Sequence, residues 1–335
     1  MNINEVIIDS RIFAQNYILR DGYEFRSLIH PANIYNAIVI KDPQNASYFS
    51  PRIVRTGHSL SEQIEFINQH QLENAIVIAN DISFITQCPT LKHLEIIPAD
   101  NIGDNFDFSP LYDMPEIKSL VCKTEYGIRE EHSSQINYLK IKGLEDTRIT
   151  GKGHLNYNCV NTLRSLQLSD YKDNDLSQTF KSEILDTLSM IQCKIKSLNG
   201  LQKSIKMQCL YLYYNRFLHD ITTLRDVKKT LKALRIENCS KINDFTVLDE
   251  LENLELLELS GSNTLPDLKF LKNMKCLKTF ILNMNVEDGD LTPCLNLSYV
   301  YSEKNHKHYN LKDKDLPKND YIRGNENIEL WRRKE

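Results

Sequence analysis

Apolar residues recur along most of the chain in the pattern LxxLxL. The clearest copies begin at Leu231, Leu254 and Leu277. Within each copy the apolar positions alternate with other residues, which is the period of a strand with one buried face. Eleven such copies begin at positions 72, 91, 117, 136, 163, 185, 207, 231, 254, 277 and 297. The pattern therefore predicts a series of short strands, each too small to bury its own apolar face.

This tandem series resembles the leucine-rich repeat (LRR) family, whose 20–29-residue repeats follow LxxLxLxx(N/C)xL. The resemblance covers about residues 72–302, and the compact repeats are most similar to those of internalin or phosphatase-regulator proteins. It implies an α/β fold, an LRR solenoid with a curved parallel β-sheet on the concave face and short helical or extended returns on the convex face. Asn or Cys follows several anchors by eight residues, where it can satisfy backbone groups or fill space: Asn80, Cys193, Asn215, Cys239 and Asn285.

Both ends of the chain depart from the short period. Residues 1–71 are interpreted as an α/β N-terminal cap, because an end repeat must cover the open core. The pentapeptide 36–40 recurs as 74–78, which predicts an earlier strand beginning near Ile34. Ser59 and Glu62 match a capping box that would open a helix before the strand at Leu72. Residues 303–335 lose the pattern and are interpreted as a C-terminal cap or tail.

Leucine is distributed unevenly, with 10 residues in positions 1–150 and 29 in positions 151–300. We interpret the difference as a change in repeat regularity within one solenoid rather than as a domain boundary. The longer copies at 91–117 and 136–163 would then carry insertions, Asn101–Met114 and Gly143–Asn158. Loops of this kind are frequent binding elements, so both are candidate contact sites.

Composition and charge narrow the functional class. The chain is 41% hydrophobic and 26% charged, which is ordinary for a folded soluble protein. Its net charge of -4 argues against general nucleic-acid binding. Residues 244–290 hold ten acids against four lysines, which is either ordinary solvated surface or a face for a basic partner. The N-terminus lacks the features of a signal peptide, and no apolar run is long enough to span a membrane.

Motifs for chemistry are nearly absent. The eight cysteines show no CxxC or zinc-finger spacing and are interpreted as reduced, structural thiols of a cytoplasmic protein. Gly151-Lys152-Gly153 lacks the first Gly and the Ser/Thr of a phosphate-binding loop. His306 and His308 have no carboxylate or thiolate at a ligand spacing, so no metal and no cofactor is expected. A Cys-His dyad stays open in principle, but we expect the protein not to be an enzyme.

The outward positions of each strand form the candidate binding surface. Tyr and Arg are enriched at interface hot spots, because they combine apolar area with a directional polar group. The simpler alternative is that tyrosines merely coat an exposed sheet. The candidate partner-binding residues of the concave face are Tyr138, Lys140, Lys142, Gln167, Tyr211, Tyr213, Tyr214, Arg235, Glu237, Glu258, Tyr299 and Tyr301.

The resemblance implies a non-catalytic protein-binding module, since LRR solenoids offer large preformed surfaces. The most concrete hypothesis is a cytoplasmic bacterial inhibitor of immunity-protein type, monomeric when free, that neutralises a protein toxin with a basic domain, for example a nuclease. The alternatives are a regulatory scaffold subunit and a host-directed effector that acts by protein binding. No membrane partner is expected.

Overall fold

A computed structural model of the chain describes residues 18–29, 34–41, 57–98, 106–122, 136–150, 161–178 and 182–320. The chain divides into two compact units, residues 1–154 and 155–335. Within the described ranges, no helix is both long and apolar enough to cross a membrane.

The described residues of the first unit form seven strands, each beside the next one in chain order. β1 and β2 are antiparallel, β2 and β3 are antiparallel, and β3 to β7 are parallel. The strands are β1 Ile18–Arg20, β2 Tyr23–Ile29, β3 Ile34–Lys41, β4 Asn74–Ala79, β5 His93–Pro98, β6 Ser119–Cys122 and β7 Asp146–Thr150. Its helices are α1 Leu60–His70 and α2 Pro110–Asp113, with 3-10 turns at Ser83–Gln87 and Tyr138–Lys140. The strand predicted near Ile34 is confirmed as β3.

Helix α1 begins where the capping box predicts. The Ser59 side chain accepts a hydrogen bond from the backbone N–H of Glu62, and the Glu62 carboxylate accepts one from the backbone N–H of Ser59. The buried side chain of Gln63 then fixes the helix to the end of β3. Its Oε1 accepts from the Lys41 N–H at 3.0 Å, and its Nε2 donates to the Lys41 carbonyl at 2.8 Å.

The sheet of the first unit is apolar on both faces. Ala75 and Val77 pair with Leu94 and Ile96, and these four residues line the inner face. The opposite face of β2–β4 carries a second buried apolar cluster, against which Tyr35 and Ile97 pack: Leu28, Ala37, Val39, Ile76 and Ile78. Burial on both faces explains why β3 and β4 are continuous apolar runs rather than alternating ones.

The repeat predicted at position 136 is wrong. Tyr138–Lys140 forms a 3-10 turn, and the strand β7 begins only at Asp146, which pairs with Ser119 of β6. Leu144 therefore takes the anchor position, two residues before the strand, as in the other copies. The described part of segment 143–158 is not an inserted loop, since it contains β7. Of the predicted loop 101–114, the described part packs inward, with Phe108, Leu111 and Met114 buried.

In the described part of the second unit there are seven parallel strands in chain order, each beginning two residues after its predicted anchor. They are β8 Ser165–Ser169, β9 Thr187–Ile191, β10 Cys209–Tyr213, β11 Ala233–Glu237, β12 Leu256–Leu265, β13 Thr279–Val286 and β14 Tyr299–Tyr301. The returns contain 3-10 turns at Leu201–Lys203, Thr222–Val227, Thr246–Glu250, Lys269–Lys272 and Thr292–Asn296. Leucines of the repeat pattern, such as Leu210, Leu234 and Leu257, are fully buried between strands and returns. This is an LRR solenoid with the short returns that the repeat length predicts.

A second repeated motif, which sequence analysis missed, starts the returns. An aspartate accepts a hydrogen bond from the backbone N–H two residues later, as Asp220 does from Thr222 at 2.9 Å. The Thr222 hydroxyl also donates to Asp220. The aspartates that take this position in the described residues are Asp81, Asp107, Asp175, Asp220, Asp244, Asp267 and Asp290. Asp, Ser and Thr favour such turns because their side chains bond the local backbone.

Asn and Cys form a buried ladder where the strands end. Asn215 donates to the Met190 carbonyl at 3.0 Å, and its Oδ1 accepts from the Cys193 N–H at 2.8 Å. The Cys239 thiol lies 3.6 Å from the Leu212 carbonyl. Asn263 continues the ladder by donating to the Ile242 carbonyl at 2.7 Å. The backbone role predicted for these positions is therefore present at Asn215, and Asn263 joins it after a bulge in β12.

Residues 303–320 close the last repeat. The Tyr309 hydroxyl donates to the Met284 carbonyl and accepts from the Val286 N–H at 3.0 Å. Further along, Lys318 forms an antiparallel bridge with Tyr299, and the Val300 N–H donates to the Pro317 carbonyl. The described tail thus supplies hydrogen-bond partners to β14 and to the end of β13.

Candidate functional site

The register of the second unit sets its outward side chains in three rows across the sheet, called here the outer face. Adjacent parallel strands lie about 4.8 Å apart, so each row is a closely spaced series. The first row is Ser165, Thr187, Cys209, Ala233, Leu256, Thr279 and Tyr299. The second is Gln167, Ser189, Tyr211, Arg235, Glu258, Ile281 and Tyr301, and the third is Ser169, Ile191, Tyr213, Glu237, Ser260 and Asn283.

The three rows differ in exposure. Most of the first row is small and buried, including Thr187, Cys209 and Ala233. The larger side chains of the second and third rows are mostly half-buried, as are Gln167 and Tyr213. A partner would therefore meet the second and third rows.

A tyrosine, an arginine and a glutamate on three adjacent strands form the centre of the outer face. The Arg235 guanidinium lies 5.1 Å from the centroid of the Tyr211 ring, and its Nε is 3.4 Å from Oε2 of Glu258. Cation–π and ionic contacts thus hold the guanidinium from two sides. Arg235 is still partly exposed and has donors left for a partner.

Tyr211 is 4% exposed, which leaves little of its ring available to a partner. The Arg235 guanidinium lies over this ring, and burial raises the pKa of the Tyr211 hydroxyl well above the usual value. Tyr213, whose ring centroid is 6.4 Å from that of Tyr211, is half-buried and is the more exposed of the two. Burial also raises the pKa of the Glu258 carboxyl, although Arg235 acts in the opposite direction.

Tyr214 follows the last residue of β10 and lies outside the rows. It is 40% exposed and has a left-handed φ of 55°. Phe217, three residues later, is 53% exposed and was not among the predicted site residues. Phe217 does not occupy an LxxLxL position, so the repeat pattern does not predict its exposure. Asn215 and Leu218 on either side of it are buried, whereas Phe217 is exposed.

Tyr138, Lys140 and Lys142 do not lie on a strand, which corrects the prediction that they line the binding face. They belong to the 3-10 turn before β7 and to the residues after it, in the first unit. Tyr138 is 6% exposed and packs into the return. Lys140 is exposed, with its Nζ 5.5 Å from the Tyr112 ring centroid.

Tyr299 and Tyr301 lie on β14, as predicted, but the tail engages both. The Lys318 ammonium is 5.6 Å from each ring centroid and also donates to the Val300 carbonyl. These contacts attach the tail to the last strand. Tyr301 keeps 38% exposure, so part of its ring stays accessible at the end of the outer face.

Much of the acidic stretch 244–290 has structural partners. Asp244, Asp267 and Asp290 begin returns, and their hydrogen bonds to Thr246, Lys269 and Thr292 lower the pKa of each carboxyl. Three glutamates have basic partners: Glu250 with Arg225 and Lys228, Glu255 with Lys232 and Lys278, and Glu258 with Arg235. The remaining acids of the stretch are exposed and have no ion pair in the described structure: Asp249, Glu252, Glu287 and Asp288.

The described residues assemble no group that could bind a metal ion. No three of their His, Cys, Asp and Glu side chains come together as a metal-binding group. The rings of His306 and His308 are 5.5 Å apart, and His308 Nε2 lies 2.9 Å from the Val286 carbonyl. Seven described cysteines are free, and six of them are buried. Burial raises the pKa of Cys193 and of Cys294 to about 12, so neither is a ready nucleophile.

Comparison with known proteins gives structural likenesses only. No family model matches the chain, and no curated protein does. Among solved structures, an internalin (inlF) from Listeria monocytogenes is similar over 86% of each chain, with 15% identity and a TM-score of 0.41. A plant peptide hormone receptor, RGFR1 in complex with RGF2, is similar over 69% of this chain and 51% of its own, with 12% identity and a TM-score of 0.24. These TM-scores are too low to assign a fold, so the LRR fold is assigned from the repeats and strands of this chain.

Proposed function

We propose that this protein is a non-catalytic protein-binding module that uses the second and third rows of the outer face. The observation that carries the proposal is Arg235, which is held between the Tyr211 ring and Glu258 and is still partly exposed. A side chain that is already ordered loses little conformational entropy on binding. The second and third rows add half-exposed aromatic, acidic and apolar residues in Tyr213, Glu237 and Ile281.

The test maps contacts on two sides of the second unit. A photo-crosslinking amino acid is placed at Ile281, on the outer face, and in a matched variant at Lys229, exposed on a return. We expect a co-purifying protein to crosslink from position 281 and not from position 229. Tyr213→Ala should weaken that complex at least tenfold, about 1.4 kcal/mol. Crosslinks mainly from position 229, with unchanged affinity in the Tyr213 variant, would reject the outer face.

The narrower form of the proposal is a cytoplasmic bacterial inhibitor of immunity-protein type that occludes a toxin. Its support is electrostatic. Asp249, Glu252, Glu287 and Asp288 are exposed acids that suit a basic partner domain. That support is weaker than composition suggests, because the other six acids of the stretch bind backbone or basic groups. Co-expression with the product of a neighbouring secreted-toxin gene tests this form: rescue of growth supports it, and unaltered toxicity opposes it.

A regulatory scaffold subunit and a host-directed effector are the two alternatives to the toxin inhibitor. Both would use the outer face as the binding surface and would differ from the inhibitor only in the partner protein. A co-purifying kinase or phosphatase whose rate changes on binding would favour the scaffold.

A further inference from the structure

Within this proposed binding function, we propose that Tyr214 and Phe217 form an aromatic anchor that inserts into an apolar pocket of a partner protein rimmed by carboxylates. The anchor lies in the turn 214–220 that follows β10. The proposal stands on three observations: an unfavourable backbone conformation at Tyr214, an extra residue that projects Phe217, and unpaired bases around both rings.

The first observation concerns the residue after each strand. Four consecutive repeats place this residue in the left-handed region, with φ between 53° and 55°: Asp170, Gln192, Tyr214 and Asn238. In each case the backbone N–H donates to a carbonyl of the next strand, as Tyr214 does to Glu237 at 2.8 Å. Asn and Asp tolerate this conformation, while a bulky side chain is unfavourable there. Tyr214 has no burial to offset that cost, since it is 40% exposed.

The second observation concerns the length of the turn. Cys193 and Asn215 are equivalent residues at the start of the turns after β9 and β10, and they are 22 residues apart in the chain. Ser197 and Asp220 pair with each other where these turns end, and they are 23 residues apart. The turn after β10 therefore contains one residue more than the turn after β9. Phe217 projects from it with 53% exposure, three residues from Tyr214. Two exposed aromatic rings in one turn have no role in the core.

The third observation is the charge around the rings. Lys194, Lys196, Arg216 and Lys241 are exposed in the turns after β9, β10 and β11, and none has an ion pair in the described structure. Asp220 and Asp244 of the two later turns keep their negative charge, since hydrogen bonds to Thr222 and Thr246 lower the pKa of both carboxyls, so bases exceed acids by two in the three turns. An excess of bases beside two exposed rings complements an apolar pocket with a carboxylate rim.

The same features fit a nucleic acid less well. Single strands bind by stacking successive bases on successive aromatic rings along a basic groove. Here the positions equivalent to Tyr214 in the neighbouring repeats are Gln192 and Asn238, and the position equivalent to Phe217 in the next repeat is Lys241. The aromatic rings are thus confined to one turn, as a single anchor requires.

A random-peptide phage library selected against the immobilised full chain tests the proposal with a defined probe. We expect selected peptides to combine Asp or Glu with large apolar residues. Tyr214→Asn and Phe217→Ser should each weaken the best synthetic peptide at least tenfold. Ile205→Ser is the matched control, since Ile205 is 58% exposed on a return and should leave the affinity unchanged. Tyr214→Asn should also keep or raise the melting temperature, because Asn accepts the left-handed conformation.

Several outcomes would overturn the anchor. Selected peptides that are basic, or that bind both variants like the wild type, would do so. A fall in the melting temperature of Tyr214→Asn would make Tyr214 a structural residue instead. Binding of a 20-nucleotide polythymidine strand that is lost in both variants would assign the turn to nucleic acid. Peptides that bind the Tyr213→Ala variant weakly, but bind the Tyr214 and Phe217 variants like the wild type, would reject the anchor and support the outer face. The aromatic anchor and the proposed binding function can therefore fail separately.

Discussion

The side-chain carbonyl of Asn215 accepts a hydrogen bond from the backbone N–H of Cys193 at 2.8 Å, one repeat earlier. The same side chain donates to the Met190 carbonyl, so it serves two backbone groups that the sheet leaves without a partner. Asn215 is fully buried, where water cannot replace these bonds. An amide suits this position because it can donate to one backbone group and accept from another at the same time.

Asn215→Ala should lower the free energy of unfolding by at least about 2 kcal/mol, since two buried backbone groups lose their partner. Urea unfolding followed by circular dichroism measures this. Asn243→Ala is the control, because Asn243 is exposed and should change stability by less than about 0.5 kcal/mol. Equal effects in the two variants would contradict the role given to the ladder.

Acid should destabilise the protein through the aspartates that begin the returns. Hydrogen bonds to the residue two positions later lower the pKa of six of these carboxyls: Asp107, Asp175, Asp220, Asp244, Asp267 and Asp290. A carboxyl with a lowered pKa in the folded state stabilises the fold above its unfolded pKa, about pH 4, and loses that contribution as the pH falls through the folded value. Thermal unfolding from pH 6 to pH 2.5 should show the decline.

The return that begins at Asp220 allows a more specific test of the aspartate hydrogen bond. Asp220→Ala removes the acceptor for the Thr222 N–H and should cost about 1 kcal/mol at pH 7, while Asp220→Asn keeps an acceptor and should cost less. Asp226→Ala, an exposed acid in the same return, is the control. If the Asp226 variant loses as much stability, general charge rather than the local hydrogen bond is responsible.

Tyr309→Phe should loosen the end of the solenoid by about 1–3 kcal/mol, because the hydroxyl bridges the Met284 carbonyl and the Val286 N–H in a buried site. Hydrogen exchange is the more direct measurement. The Val286 amide should exchange faster in the variant, while the Leu234 amide in the centre of the unit should not change. Uniformly faster exchange would instead indicate global destabilisation.

The thiols should differ strongly in reactivity. Cys276 is exposed, whereas burial raises the pKa of Cys88 and Cys239 to about 11 and of Cys193 and Cys294 to about 12. Since the thiolate is the reactive form, Ellman's reagent should label Cys276 in the native protein far faster than these four. Cys276→Ser should remove one equivalent of the fast phase. A disulfide found in the denatured, unreduced protein would contradict eight reduced thiols.

Sequence patterning predicted most of the second unit because each of its strands satisfies the same local rule. An apolar anchor, alternation over five residues and a short return leave one arrangement that buries nearly all leucines of the repeat pattern. The capping box at Ser59 predicted helix α1 for a similar reason, since both hydrogen bonds form between residues three apart. These features depend on near neighbours in the chain, so the order of residues suffices to find them.

The outer face was only partly predictable. Alternation placed Tyr211, Arg235 and Glu258 on the correct side, and register brought them together. It could not show that Tyr211 would be buried beneath Arg235, nor that Phe217 would project. Exposure depends on the size of side chains in neighbouring repeats and on the length of each turn, neither of which the LxxLxL pattern contains.

The pentapeptide that occurs twice in the first unit shows most clearly what the sequence determines and what the folded sheet determines. Both copies were predicted to be strands, and both are. Their pairing is one residue out of step, with Ile38 opposite Ala75 and Ile40 opposite Val77. Because side chains alternate along a strand, the isoleucines of the first copy face inward while Ile76 and Ile78 of the second face outward. The sequence determined the apolar strands and their spacing, and only the register chosen in the folded sheet decided which face each side chain would occupy.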